Sequence, residues 1–214
     1  MTVPRFHVPE AAPDGEGREY EATLDRVSRQ GVELRLGSAV APRSESPLRL
    51  VLALSPLKGD RMELVIQKAT ELGVSEVWPV VTARTDAAAR PALHGSRTER
   101  WEKVASGAAE QCGRAVVPRV LPTLTFDGLL AEPFEGERLV LLETPGPRPL
   151  AAIPEPGRAV LVLVGPAGGW EPNEVGRLEA AGFHAVGLGP RVLRSETAAV
   201  TAVVMAQTLW GDLG

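Results

Sequence analysis

The fold of this chain is decided by the stretch AVLVLVGPAGGWEP, residues 159–172. Its first six residues are apolar and predict a fully buried strand. Three glycines and two prolines follow directly. Glycine permits positive φ and a close backbone approach, and Pro172 suits the first turn of a helix. A buried strand that leads through such a turn into a helix is typical of an α/β fold.

Strands and helices alternate on both sides of this stretch. Apolar runs predict strands at 48–54, 74–81, 138–142, 159–164 and 184–188. Helical spacing of apolar residues predicts helices at 60–72, 96–112, 171–181 and 196–210. The alternation predicts a mostly parallel sheet with helices on both faces, so residues 47–214 form one α/β domain.

The first 46 residues predict a small β-rich unit. Strand-like runs at 20–24 and 32–36 are joined by a polar, glycine-containing turn at 28–31. The stretch PRSESP at 42–47 predicts a linker to the α/β domain.

The composition is that of a globular protein, with 44% hydrophobic and 23% charged residues in a chain of 214. Cys112 is the only cysteine, which favours a reducing, cytoplasmic location over a secreted one. We expect no signal peptide and no membrane span, because no run of about 18 apolar residues occurs.

The net charge of −4 argues against a surface coated by nucleic acid, but not against a local basic patch. Residues 81–119 carry seven basic and four acidic side chains, whereas residues 120–187 carry four basic and nine acidic ones. We expect a polyanion to meet the first stretch and not the second.

Three strand exits carry the candidate chemistry, because ligands of open α/β sheets bind beyond the carboxyl ends of strands. The first exit, 165–172, could hold an anion on free N–H groups, or it could be a plain turn into a helix. It matches neither a Walker A loop nor the dinucleotide fingerprint. The third exit, SPLKGDR at 55–61, could meet phosphate or form a solvated helix start.

The second exit is LGPRVLRSETAA at 188–199. Ser195 suits a helix N-cap and Glu196 favours the helix dipole. Arg191 and Arg194 are unfavourable at a positive helix end, so they indicate an anionic partner or a buried acidic mate. Three scattered histidines and one cysteine predict no metal site.

These three exits, in this order, resemble the 16S ribosomal RNA (uracil-N3)-methyltransferase family over about residues 48–214. The motifs that carry the resemblance are KGDRME at 58–63, QKATELGV at 67–74, EQCGR at 110–114, GPAGG at 165–169 and LGPRVLRSETAA at 188–199.

The resemblance implies a SPOUT-type α/β domain with a C-terminal trefoil knot, and a homodimer. It also implies S-adenosylmethionine as co-substrate and methylation of N3 of one uridine, uridine 1498 in the family, in small-subunit (16S) ribosomal RNA. The N-terminal unit would be a shortened PUA-like RNA-binding barrel.

The resemblance also assigns roles to individual residues. The cofactor would be held by Gly165, Pro166, Ala167, Gly168, Gly169, Leu188, Gly189, Leu193, Ser195, Glu196, Thr197 and Ala198. Arg194 would stabilise the anion that develops on the uracil. Arg5, Arg84 and Arg114 would contact RNA.

Two departures from the family pattern leave other functions open. Ala167 stands where the family commonly has Glu, and the family's helix is missing between about Ala11 and Asp14. One alternative is a non-catalytic RNA-binding or ribosome-assembly protein on the same scaffold. Another is a different α/β enzyme that binds a nucleotide phosphate at 165–169.

The last predicted helix, 196–210, is apolar on nearly every face. Such a helix must be buried on most sides, which one sheet face cannot provide. The pattern therefore predicts that the chain forms a dimer.

Overall fold

The computed structural model describes residues 11–28, 31–89, 97–143 and 147–214. In this part of the chain, three N-terminal strands form an antiparallel sheet: β1 (Ala11–Pro13), β2 (Glu19–Ser28) and β3 (Gly31–Val40). One face of this sheet leaves apolar side chains 38–58% exposed, at Leu24, Val27, Val32, Leu34 and Leu36. The predicted β-rich unit is therefore present, and β1 is an additional strand.

The second sheet has eight strands. They are β4 (Arg49–Leu54), β5 (Glu76–Val81), β6 (Arg119–Val120), β7 (Leu124–Thr125), β8 (Glu137–Leu141), β9 (Arg148–Pro149), β10 (Ala159–Val164) and β11 (Phe183–Gly187). Their order is β6-β5-β4-β10-β8-β11-β9, with β7 beside β5, and the pairs are parallel. The predicted parallel sheet is confirmed.

Helices cover both faces of the parallel sheet. They are α1 (Arg61–Glu71), α2 (Thr98–Cys112), α3 (Phe126–Ala131), α4 (Pro172–Ala180) and α5 (Ser195–Trp210). α1, α2 and α5 pack in one core cluster against Leu50 and Leu52, while α3 and α4 pack in the other against Val51 and Ala53. Successive β4 residues thus point to opposite faces, as a buried strand requires. No helix in the described ranges is both long and apolar enough to cross a membrane.

The stretch predicted as a linker, 42–47, contains no helix or strand, but hydrogen bonds tie it to α2 and α5 of the α/β domain. Arg43 Nη1 donates to the carbonyl of Cys112 at 3.2 Å. The hydroxyl of Ser46 lies 2.7 Å from Oε1 of Gln207, a fully buried residue of α5. These contacts fix the path by which the N-terminal strands enter the parallel sheet.

The start of α5 differs from the expectation. Ser195 was expected at the N-cap, but the helix begins at Ser195 and the N-cap is Arg194, whose side chain makes no capping hydrogen bond. An arginine therefore occupies the N-cap position at the positive end of the α5 dipole. The boundary of α4 follows the prediction closely, because Pro172 opens the helix and Glu171 with Glu174 forms a capping box.

Candidate active site

A cavity of about 460 Å³ lies at the carboxyl ends of β10, β8 and β11, three neighbouring strands. Its wall comes from three segments, 141–143, 164–175 and 188–198. Two of these are the first and second exits, so the structure brings them together as predicted. The volume falls within the range of small-molecule sites.

Most of the predicted cofactor residues line this cavity. They are Gly165, Pro166, Gly169, Leu188, Gly189, Leu193, Ser195 and Ala198. The other four, Ala167, Gly168, Glu196 and Thr197, lie in the same segments but off the cavity wall. The structure thus brings eight of the twelve predicted residues to one cavity wall, and the binding of a cofactor by all twelve stays a prediction.

The first exit is shaped by a tight turn and by an indole. The amide of Gly169 donates to the carbonyl of Pro166 at 2.9 Å, and Gly169 adopts φ 72°, which favours glycine. Nε1 of Trp170 donates to the carbonyl of Leu141 at 3.2 Å. A Cβ added at Gly165 would lie 2.7 Å from that nitrogen, so glycine is needed for the indole to close the pocket.

Sequence reasoning missed the segment 141–143. Among the described residues, Glu143 is the acidic side chain on the cavity wall, opposite in charge to Arg191, which also lines it. The segment follows β8, which lies between β10 and β11 in the sheet. The strand was predicted, but only the strand order places its end at the pocket.

Arg191 and Arg194 are both exposed beside the pocket. Within the described ranges, neither has an ion-pair partner. Glu196, the nearest acidic residue in sequence, instead lies 3.7 Å from Arg61. In the part of this chain that the structure describes, therefore, neither arginine has a buried acidic mate, which leaves an anionic ligand or a carboxylate of a second copy as the partner.

The cations of the third exit are already paired. Lys58 Nζ lies 2.7 Å from a carboxylate oxygen of Asp86, and Arg61 pairs with Glu196. The hydrogen bond from Lys58, together with that from the amide of Ala88, holds the pKa of Asp86 below its ordinary value. This pairing favours the interpretation of the third exit as a helix start over a ready phosphate site.

The three arginines predicted to contact RNA lie in three different environments. Arg114 is 12% exposed, pairs with Glu45 at 2.6 Å and donates to the carbonyls of Thr70 and Val74, so its contacts are structural. Arg84 is bonded to Glu171. Arg5 lies outside the described residues.

No group of three or more His, Cys, Asp or Glu side chains in the described ranges could hold a metal ion. The pocket instead has the features of an organic ligand site, with apolar walls, exposed backbone and a few charged groups. Val164, Leu188 and Leu193 can contact a flat apolar ring, and Glu143 and Arg191 can meet charged groups. These residues fit a ligand that carries both an aromatic base and a charged amino acid, as S-adenosylmethionine does.

A parallel α/β sheet with a glycine-walled pocket at its carboxyl edge defines an α/β protein that binds a small molecule. Comparisons with known proteins identify the family within that class. The model of the RNA methyltransferase domain matches residues 44–207. Ribosomal RNA small subunit methyltransferase E of Bacillus subtilis is 32% identical over 88% of this chain and 77% of its own length.

Two solved structures are also similar. Ribosomal RNA small subunit methyltransferase E from Neisseria gonorrhoeae, bound to S-adenosylmethionine, has a TM-score of 0.86 and 36% identity, covering 95% of this chain and 84% of that chain. A methyltransferase from Legionella pneumophila with the same bound cofactor has a TM-score of 0.87 and 34% identity, with the same coverage. The chain belongs to the RNA methyltransferase family, among the ribosomal RNA small subunit methyltransferase E proteins.

Proposed function

We propose that the protein transfers a methyl group from S-adenosylmethionine to N3 of one uridine in small-subunit (16S) ribosomal RNA, the family's uridine 1498. The observation that carries the proposal is the single cavity formed by the 165–169 and 188–198 segments. Two structures with the cofactor bound, both above 30% identity, have the same fold. The cofactor would lie against the backbone of these segments, and the three glycines of 165–169 allow that close approach.

The reaction needs alignment more than acid chemistry. The bond between N3 and the methyl carbon forms as the carbon–sulfur bond breaks. The electron pair of the broken bond stays on sulfur, which leaves as S-adenosylhomocysteine, and the N3 proton passes to water. Holding the two reactants in line supplies much of the rate. Arg194 is the proposed group that stabilises negative charge on the uracil oxygens, and its exposure at the positive end of α5 supports this role.

RNA is proposed to approach through the pocket mouth rather than over the N-terminal sheet. Residues 11–40 carry six acidic and four basic side chains, which offers a polyanion little attraction. Arg191 and Arg194 are the unpaired cations at the mouth within the described ranges. The cytoplasm, where ribosomal RNA is made, is the proposed location.

The proposed assembly is a homodimer with a knotted C-terminal region. Exposed apolar side chains remain on α1 and α5, which pack together: Leu64 is 47%, Val204 38% and Leu209 42% exposed. The knot is proposed from the family resemblance, because a crossover from β10 past β8 to β11 also occurs in unknotted parallel sheets.

Calorimetric titration with S-adenosylmethionine, followed by methyl transfer to small ribosomal subunits, tests the function. We expect one cofactor site per chain and N3-methyluridine in the digested RNA. Cofactor binding without methyl transfer, together with RNA binding, would favour the non-catalytic assembly protein. Absence of cofactor binding would reject the proposal.

A further inference from the structure

A side-chain bridge joins the loop after β5 to the glycine loop after β10. Arg84 Nε donates to Oε1 of Glu171 at 2.7 Å, and its Nη1 donates to the carbonyl of Gly168 at 3.1 Å. β4 lies between these two strands in the sheet, so the bridge spans the end of a whole strand. A Cβ at Gly168 would lie 3.2 Å from Cβ of Arg84, so the arginine also packs against the loop.

A buried carboxylate fixes the backbone on both sides of this bridge. Glu174 is 6% exposed. Its Oε1 accepts from the amide of Ala83 at 2.8 Å, and its Oε2 accepts from the amide of Glu171 at 3.0 Å. Glu174 therefore holds the backbone of Ala83, next to Arg84, close to the backbone of Glu171. With both backbones fixed, the side chains of Arg84 and Glu171 meet beside the glycine loop.

The glycine loop needs such a restraint. Three of its five residues, 165–169, are glycine, and ordering glycine costs more backbone entropy than ordering any other residue. Gly165, Pro166 and Gly169 form cavity wall, whereas Arg84 does not line the cavity. Arg84 can thus affect the pocket only through the loop that it holds.

We propose that Arg84 is a positioning residue for the cofactor loop, acting through Glu171 and the Gly168 carbonyl, and that it does not contact RNA. The inference rests on the proposed cofactor site between 165–169 and 188–198. Both side chains of the pair are nearly half exposed, at 45% and 43%, and exposed pairs add little to folding stability. The effect of losing Arg84 therefore falls on the fraction of molecules with an ordered loop, and so on cofactor affinity.

The test is titration with S-adenosylhomocysteine, which binds without reacting, on the parent and on Arg84→Ala, Glu171→Gln and the double variant. We expect Arg84→Ala to raise Kd about tenfold and Glu171→Gln to raise it less, because Arg84 then keeps its hydrogen bond to the Gly168 carbonyl. The double change should raise Kd no further than Arg84→Ala, because it removes no interaction that Arg84→Ala leaves between the two side chains. Arg84→Lys keeps a charge for Glu171 but lacks the planar fork, so it should rescue part of the loss. Arg100→Ala, which removes an exposed pair with Glu63 on α1, is the matched control and should keep the parent Kd.

Kinetics and RNA binding distinguish a positioning role of Arg84 from an RNA contact and from a purely structural role. Arg84→Ala should raise KM for S-adenosylmethionine, keep kcat at saturation, and keep the melting temperature and the salt dependence of RNA affinity. A parent-like Kd for S-adenosylhomocysteine, combined with weaker RNA binding and a shallower salt slope, overturns the inference and makes Arg84 an RNA contact. A parent protein that does not bind S-adenosylhomocysteine overturns the proposed function itself.

Discussion

Gly165 shows how one missing side chain shapes the pocket. A methyl group at this position would lie 2.7 Å from Nε1 of Trp170, a distance that real Cβ atoms do not adopt. The indole would have to leave its hydrogen bond to the carbonyl of Leu141. Glycine is thus required at position 165 because a side chain would clash with Trp170. At Gly189 it is favoured for another reason, the positive φ of 118°.

Gly165→Ala should therefore lower S-adenosylmethionine affinity about tenfold or more, because the displaced indole occupies or opens the pocket. Calorimetry gives the affinity, and a shift in tryptophan emission reports the indole. Gly176→Ala is the control, since a Cβ there meets nothing within 4 Å and the site is in α4. That change should keep the affinity and add up to about 1 kcal/mol of stability.

Arg194 is the residue whose role the sequence left open between a structural pair and the substrate. Glu196 lies near Arg61, so it is not the partner of Arg194. If Arg194 stabilises the uracil anion, Arg194→Ala should keep cofactor affinity within a few-fold and cut turnover by roughly 10²-fold. Arg194→Lys should recover only part of the rate. Arg158→Ala, at the exposed amino end of β10, serves as control. Parent turnover with early melting in Arg194→Ala would make this arginine structural.

At the scale of elements, the sequence predicted what long apolar patterns can specify. β10 has the predicted bounds, and the ends of α1, α2, α4 and α5 lie within two residues of the predicted ones. β6, β7 and β9 have two residues each, too few for any periodicity. α3 has six, and only the Thr125 side chain, which accepts from the amide of Gly128, could have marked its start.

The candidate site was predictable where it depended on local motifs and not where it depended on strand order. The turn at 165–169 could be placed from glycines alone. Glu143 could not, because its position follows from β8 lying between β10 and β11. The structural role of Arg114 was hidden for the same reason, since Glu45 is 69 residues away in sequence.

Glu76 joins β4 to β5 and gives the sheet a dependence on pH. Burial raises the pKa of Glu76, but hydrogen bonds from Arg49 at 2.7 Å and from Trp78 at 3.0 Å outweigh it, and the net pKa lies below the ordinary 4.5. Its contribution to stability is therefore complete above about pH 4.5 and is lost as pH falls through the folded-state pKa.

Glu76→Gln should lower the free energy of unfolding by about 1–3 kcal/mol at pH 7, because the Arg49 guanidinium loses its charged acceptor. Below about pH 4.5 the variant and the parent should converge. Urea unfolding followed by tryptophan emission at several pH values measures both effects. Glu102→Gln, at an exposed position of α2, should follow the parent throughout; a constant difference for Glu76→Gln at every pH would contradict the linkage.

At the scale of the whole molecule, the exposed apolar side chains of α1 and α5 predict a dimer in solution. Light scattering at micromolar concentration should give twice the chain mass of 22.7 kDa. Val204→Lys should shift the protein toward the monomer, because a charge at the centre of an apolar interface is costly to bury. Leu36→Lys, which also places a charge on an exposed apolar position but on β3, is the control and should stay dimeric. A monomeric parent would contradict the dimer.

The position of β10 between β4 and β8 also determines how late in translation the centre of the sheet can form. β4 ends at Leu54, but its neighbour β10 begins at Ala159, about 100 residues later along the chain. At about 5–20 residues per second, the ribosome needs roughly 5–20 s to make the intervening chain. During that interval β5 can pair with one edge of β4, but the edge that β10 will occupy has no partner strand, which is the condition that favours aggregation. The nascent chain is therefore most vulnerable in the middle of its own translation, and its cofactor pocket cannot close until α5 has left the ribosome.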